Sequence, residues 1–83
     1  MQQFDPESVD LAVLAQQLVS ALGAHVEGAV IGKTRLRDEV VRQLGCSLLE
    51  GEQVVDTMVA RSFLVRVQSG AGGWAIRPEA VAG

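Results

Sequence analysis

Cysteine occurs once in these 83 residues, tyrosine not at all, and histidine and tryptophan once each. The single thiol, Cys46, excludes an internal disulfide and a cysteine-rich metal site, and reads as a small hydrophobe in a turn. His25, placed in a loop beside Glu27, reads as a solvated imidazole, because nothing nearby completes a triad. Glu50 and Glu52 are two apart and so fall on different faces of a helix, which rules them out as an acid–base pair. The sequence therefore offers no catalytic residue, no metal ligand and no cofactor-binding residue, and a non-enzymatic protein is expected. No apolar run approaches the roughly 20 residues that span a bilayer. The opening MQQFDPES has neither a basic segment nor an apolar one, so a cytoplasmic protein without membrane contact is expected. A basic excess is missing too: Lys and Arg number 7 against 10 Asp and Glu, for a net charge of −3.

Apolar residues, in contrast, make up 48% of the chain. At this length a single core supplies nearly all stability, so residues 1–83 read as one domain with frayed ends at 1–4 and 79–83. The first helix lies in FDPESVDLAVLAQQLVSALG, with Asp5 as cap, Pro6 at the first helical position, Phe4 stapled onto Val9 and Gly23 marking the end. Leu11, Leu14, Ala15, Leu18 and Leu22 form its inward stripe. Val9, Val13 and Val19 lie partly off that stripe, which suits either a broad contact with the core or a homodimer interface. Residues 29–31 (AVI) suit a short strand. The following GKT makes residues 28–34 look like a phosphate-binding loop, but only three residues separate the glycines where that motif needs four. Gly32 and Lys33 read better as a turn into the next helix.

In TRLRDEVVRQLG, Leu36, Val40, Val41 and Leu44 recur at helical spacing, with Thr34 as cap and Gly45 as a left-handed stop. Ser47 and Glu50 then form a capping box, so another helix starts at Leu48 and runs to about Arg61. It should bury Val54, Val55, Met58 and Val59, while Gly51 allows close helix approach. FLVRV and WAIR follow as short strands around the glycine-rich QSGAGG, with Trp74 packing over Phe63 or Val65. The stretch LGCSLLEGEQVVDTMVARSFLVRVQSGAGGWAIRP resembles the second half of a bacterial winged helix-turn-helix domain, over roughly residues 29–78. That resemblance implies an α+β fold of order α-β-α-α-β-β ending in a β-hairpin wing. Ser62 departs from the glycine common at that point in the family, implying mild strain or an earlier helix end.

The resemblance makes a small dimeric DNA-binding regulator the leading expectation. Lys33, Arg35 and Arg37 would meet phosphates, Gln53 would read a base, and Arg66 and Arg77 would reach a flanking backbone. All seven basic residues lie from position 33 onward, against six acids there. The bland reading of these cations is a solvated face with local pairing, such as Asp38 with Arg42. The outward residues of the second helix of the pair, Leu48, Leu49, Glu50, Glu52, Gln53 and Asp56, point elsewhere: carboxylates oppose a polyanion, and two adjacent leucines cannot both face inward. The alternative is a protein-interaction or assembly module, with Val9, Val13, Leu48, Leu49 and Glu52 as interface residues.

Overall fold

A computed structural model describes residues 5, 8–68, 70 and 72–79. Three helices and a three-stranded antiparallel sheet follow one another as α1 (Leu11–Leu22), β1 (His25–Glu27), α2 (Val30–Leu44), α3 (Leu48–Ala60), β2 (Leu64–Val67) and β3 (Gly73–Ile76). The domain is thus α+β in the expected element order, although the start of α1, the position of β1 and the start of α2 differ from those the sequence suggests. The expected frays at 1–4 and 79–83 lie outside the described residues except for Glu79, which is an exposed turn residue, and Phe4 of the Phe4–Val9 staple and Pro6 lie outside them too.

α1 is capped by Asp10, not Asp5: the Asp10 carboxylate accepts from the Val13 amide at 3.2 Å. The amide and hydroxyl of Ser8 both donate to the Asp5 carbonyl, at 3.0 and 2.8 Å, so Ser8 is tied back to Asp5 ahead of the helix. Gly23, at φ +86°, ends α1 with its amide on the Val19 carbonyl.

The largest correction concerns residues 24–34. The first strand is His25–Glu27, so His25 belongs to a strand and not a loop, and residues 29–31 open α2 instead of forming a strand. Gly28, at φ +89°, turns the chain directly from β1 into that helix. Thr34 is consequently interior, its hydroxyl donating to the Val30 carbonyl four residues back at 3.2 Å, and Gly32 and Lys33 are helical rather than a turn. A β carbon on Gly32 would lie 2.8 Å from the Glu27 carbonyl oxygen and 3.2 Å from the Trp74 ring. Only a glycine lets the helix come that close to the sheet.

Gly45 closes α2 in the left-handed conformation, and α3 starts three residues later at Leu48. The capping box is formed in both directions: the Glu50 amide donates to the Ser47 hydroxyl at 3.1 Å, and the Ser47 amide donates to the Glu50 carboxylate at 2.9 Å. Gly51 is buried where a β carbon would press on Val41, which brings α2 and α3 together as expected. Past α3, Ser62 takes φ +67°, the one described non-glycine residue with positive φ. The strain expected from a serine at this turn is therefore present.

β3 lies at the centre of the sheet, in the order β1-β3-β2, pairing Val26 with Trp74 on one side and Leu64 with Ile76 on the other. Alternate residues of the strands, Val26, Leu64, Trp74 and Ile76, face the helices. They meet Leu14 and Leu18 of α1, Leu36 and Val40 of α2, and Val54, Val55 and Met58 of α3 in one core. Val9, Val19, Leu22, Leu44 and Val59 are half-buried around it. Among the described residues, no helix is long and apolar enough to cross a membrane.

Candidate interaction surface on α3 and the adjoining cleft

α3 buries Gly51, Val54, Val55 and Met58 and turns Leu49, Gln53, Asp56 and Ala60 outward, with Leu48 and Glu52 at the flank nearer α2. Leu48 and Leu49 are 56% and 65% exposed, so neither is covered by another described segment. Glu50 is the exception among the expected outward residues: it is half-buried, and its carboxylate is used in the cap.

The acids of α3 are not free either. Asp56 pairs with Lys33 at 3.1 Å, and Glu52 with Arg37 at 3.4 Å, both across the α2–α3 seam. Arg37 also holds Asp38 through Nε at 3.1 Å and Nη2 at 2.8 Å, and these contacts, Asp38 first, raise its pKa above the ordinary guanidinium value. The pairing expected between Asp38 and Arg42 is absent. Arg42 instead donates from Nε to Glu39 at 3.0 Å, one residue nearer, because Arg37 already occupies Asp38.

Lys33, Arg35 and Arg37 do not form one basic face. With about 100° per residue, position 35 points roughly 200° away from both 33 and 37. Lys33 and Arg37 accordingly line the seam with α3, while Arg35 is exposed away from it and carries no ion pair among the described residues. Arg66 on β2 stands over its cross-strand neighbour Trp74, with its guanidinium carbon 5.8 Å from the ring centre. Arg77 is exposed just past β3, its backbone amide donating to the Phe63 carbonyl at 2.8 Å. Gln53 is exposed on α3.

Just ahead of α1, Val9 packs half-buried on the core, which favours burial over an interface for that residue. Val13 is 48% exposed, but its surroundings are Gln16, Gln17, Ser20 and Gln43, a polar surface. The apolar face expected on α1 thus reduces to one side chain.

Between α2, α3 and the β2–β3 hairpin lies a cleft of about 520 Å³. Its walls include Lys33, Arg37, Glu52, Asp56, Arg66 and the ring of Trp74. Sequence reasoning gave Trp74 a partner on its own hairpin, whereas its indole Nε1 donates to the Ala29 carbonyl at 2.9 Å, 45 residues away, and its ring edges the first turn of α2. Val30 and Ile31, 81% and 66% exposed, are apolar surface residues that the strand assignment had hidden. Read as a helical turn, the same residues would have shown two outward apolar positions. Compared with protein-family models, curated proteins and solved structures, the chain matches none of them.

Proposed function

We propose that this chain is a non-enzymatic, winged-helix-like recognition module that assembles with a second copy of itself through the exposed start of α3. The observation that carries this reading is the pair Leu48 and Leu49, both more than half exposed at the head of the helix that such domains present to a partner. The carboxylates beside them, Glu52 and Asp56, each pair with a cation of α2, Arg37 (shared with Asp38) and Lys33, which offsets part of their charge and leaves the apolar end of α3 uncovered. A surface led by leucines suits a protein contact better than a polyanion.

Light scattering across a concentration series tests this. The wild-type chain should show the mass of a dimer, and Leu49→Asp should give a monomer with unchanged circular dichroism. A wild-type mass that stays monomeric, or a variant mass that stays dimeric, rejects the reading.

One observation supports duplex DNA as a second reading: Arg35, Arg66 and Arg77 carry no carboxylate partner among the described residues. Anisotropy of a labelled duplex at low salt separates the two. DNA contact through these arginines would give binding whose logarithm falls with log salt by about 0.9 per phosphate met. Absence of binding at low salt removes this reading and leaves the first untouched.

A further inference from the structure

The cleft between α2, α3 and the hairpin has one cation more than it has carboxylates. Lys33 faces Asp56, Arg37 faces Glu52, and Arg66 faces only the indole of Trp74. That indole is fixed, 7% exposed and pinned to the Ala29 carbonyl through Nε1. Arg66 therefore sits on a rigid aromatic shelf with its hydrogen-bonding fork unmet by any acid of the described residues. The apolar surface open to a ligand is at the rim, where Val30 is 81% exposed, while Val55 lies buried beneath. A space of about 520 Å³ is within the usual range for small-molecule sites.

We infer that this cleft binds a small monocarboxylate with an apolar body, the carboxylate on the Arg66 guanidinium and the apolar part against Val30 at the rim. A guanidinium fork matches a carboxylate with two parallel N–H donations. Arg66 is the one cation of the lining without a carboxylate partner, and Arg37 is already shared between Asp38 and Glu52, so a monoanion fits the cleft. Phosphate groups of higher charge would meet Glu52 and Asp56 on the far side, and the like-charge repulsion there opposes them. A cationic ligand meets Arg66 itself.

Two-dimensional ¹H–¹⁵N spectra of the whole chain test the inference, with phenylacetate as the probe. Saturable shifts are expected at the Trp74 indole N–H and at the Val30, Lys33 and Arg37 amides. Phenylacetamide, which keeps the ring and lacks the charge, should bind at least about tenfold more weakly, since a charged hydrogen bond contributes about that factor, and inorganic phosphate, which has no apolar body and meets Glu52 and Asp56, should also bind more weakly than phenylacetate. Arg66→Gln should weaken phenylacetate by a similar factor with the rest of the spectrum unchanged, and Arg66→Lys by less. Unsaturable or scattered shifts, equal binding of phenylacetamide or phosphate, or full affinity in Arg66→Gln would each overturn it. None of these outcomes bears on dimerisation, which is read by mass and by Leu49→Asp.

Discussion

The first turns of α2 and α3 are built on opposite plans. α3 begins with Ser47 and Glu50, three residues apart, each satisfying an amide of the other's turn. α2 begins at Ala29, which has no side chain able to cap, and the residue before it is a glycine at φ +89°. What holds that start in place comes from the far end of the chain: Trp74 donates to the Ala29 carbonyl, and its ring edges Gly32. A helix start coded within four residues is readable by local rules. One coded across 45 residues is not. The two starts also frame the two surfaces discussed above, since the α3 turn displays Leu48 and Leu49 and the α2 turn forms one wall of the cleft.

If the contrast is real, the heaviest damage comes from breaking the distant pin. Trp74→Phe keeps an aromatic ring on the central strand but removes the indole N–H and part of the buried area. A loss of roughly 2 kcal/mol is expected, combining an unsatisfied carbonyl with incomplete packing. Urea denaturation reads the total, and native-state hydrogen exchange reads the place. The amides of Lys33 and Thr34, in the opening turns of α2, should lose protection first, while those of α3 keep theirs. Uniform loss of protection would mean that Trp74 supports the core in general and not this turn in particular.

Ser47→Ala probes the local plan and should cost about 1 kcal/mol. Because the box is reciprocal, Ser47→Ala and Glu50→Ala should be non-additive, the second change adding little once the first is made. A synthetic peptide covering residues 46–61 should also lose helicity on Ser47→Ala, which a tertiary effect could not produce. If the peptide is indifferent while the protein is destabilised, the cap of α3 is no more local than that of α2.

The same distinction explains which parts of the fold were legible. The stretch from Gly45 to Ile76 was readable because its signals are short-range: the left-handed glycine, the capping box, the valines at helical spacing, and glycines between two β-rich runs. Gly51 and the strained Ser62 were readable for the same reason. Residues 24–34 were not. β-branched Val30 and Ile31 favour a strand on propensity, and nothing within ten residues announces that an indole holds Ala29 at the N-cap of a helix. The candidate surfaces divide likewise. Exposure of Leu48 and Leu49 follows from helical geometry alone, whereas the pairs Lys33–Asp56 and Arg37–Glu52 depend on the way α2 crosses α3. An alternation of cations at 33, 35 and 37 suggested one basic cluster; helical rotation separates the middle one from its neighbours.

The smallest expected effect lies on α2, where a local signal was present but chose the other neighbour. Asp38 and Arg42 have the favoured four-residue spacing, yet Arg42 and Gln43 both donate to Glu39, whose side chain is only 12% exposed. Arg42 foremost, and then Gln43, hold the Glu39 carboxyl below its ordinary value, with partial burial acting in the opposite sense. A carboxyl lowered by folding stabilises the protein above its unfolded value of about 4.3, and that contribution disappears as pH falls through the lower folded value. The pair is at the surface on the arginine side, so the contribution is a few tenths of a kcal/mol to about 1 kcal/mol. Melting temperature measured from pH 6 to pH 3 should therefore fall less steeply in Arg42→Met than in the wild type, the two curves converging at the acidic end. Asp38→Asn should leave the difference between those curves unchanged, because Asp38 is held by Arg37 and takes no part in the Glu39 contact. Curves that run parallel from pH 6 to pH 3 would show that the Glu39–Arg42 contact contributes nothing in solution. The side-chain pairing on α2 would then be as indifferent to its neighbours as the bland reading of a solvated charged face supposed.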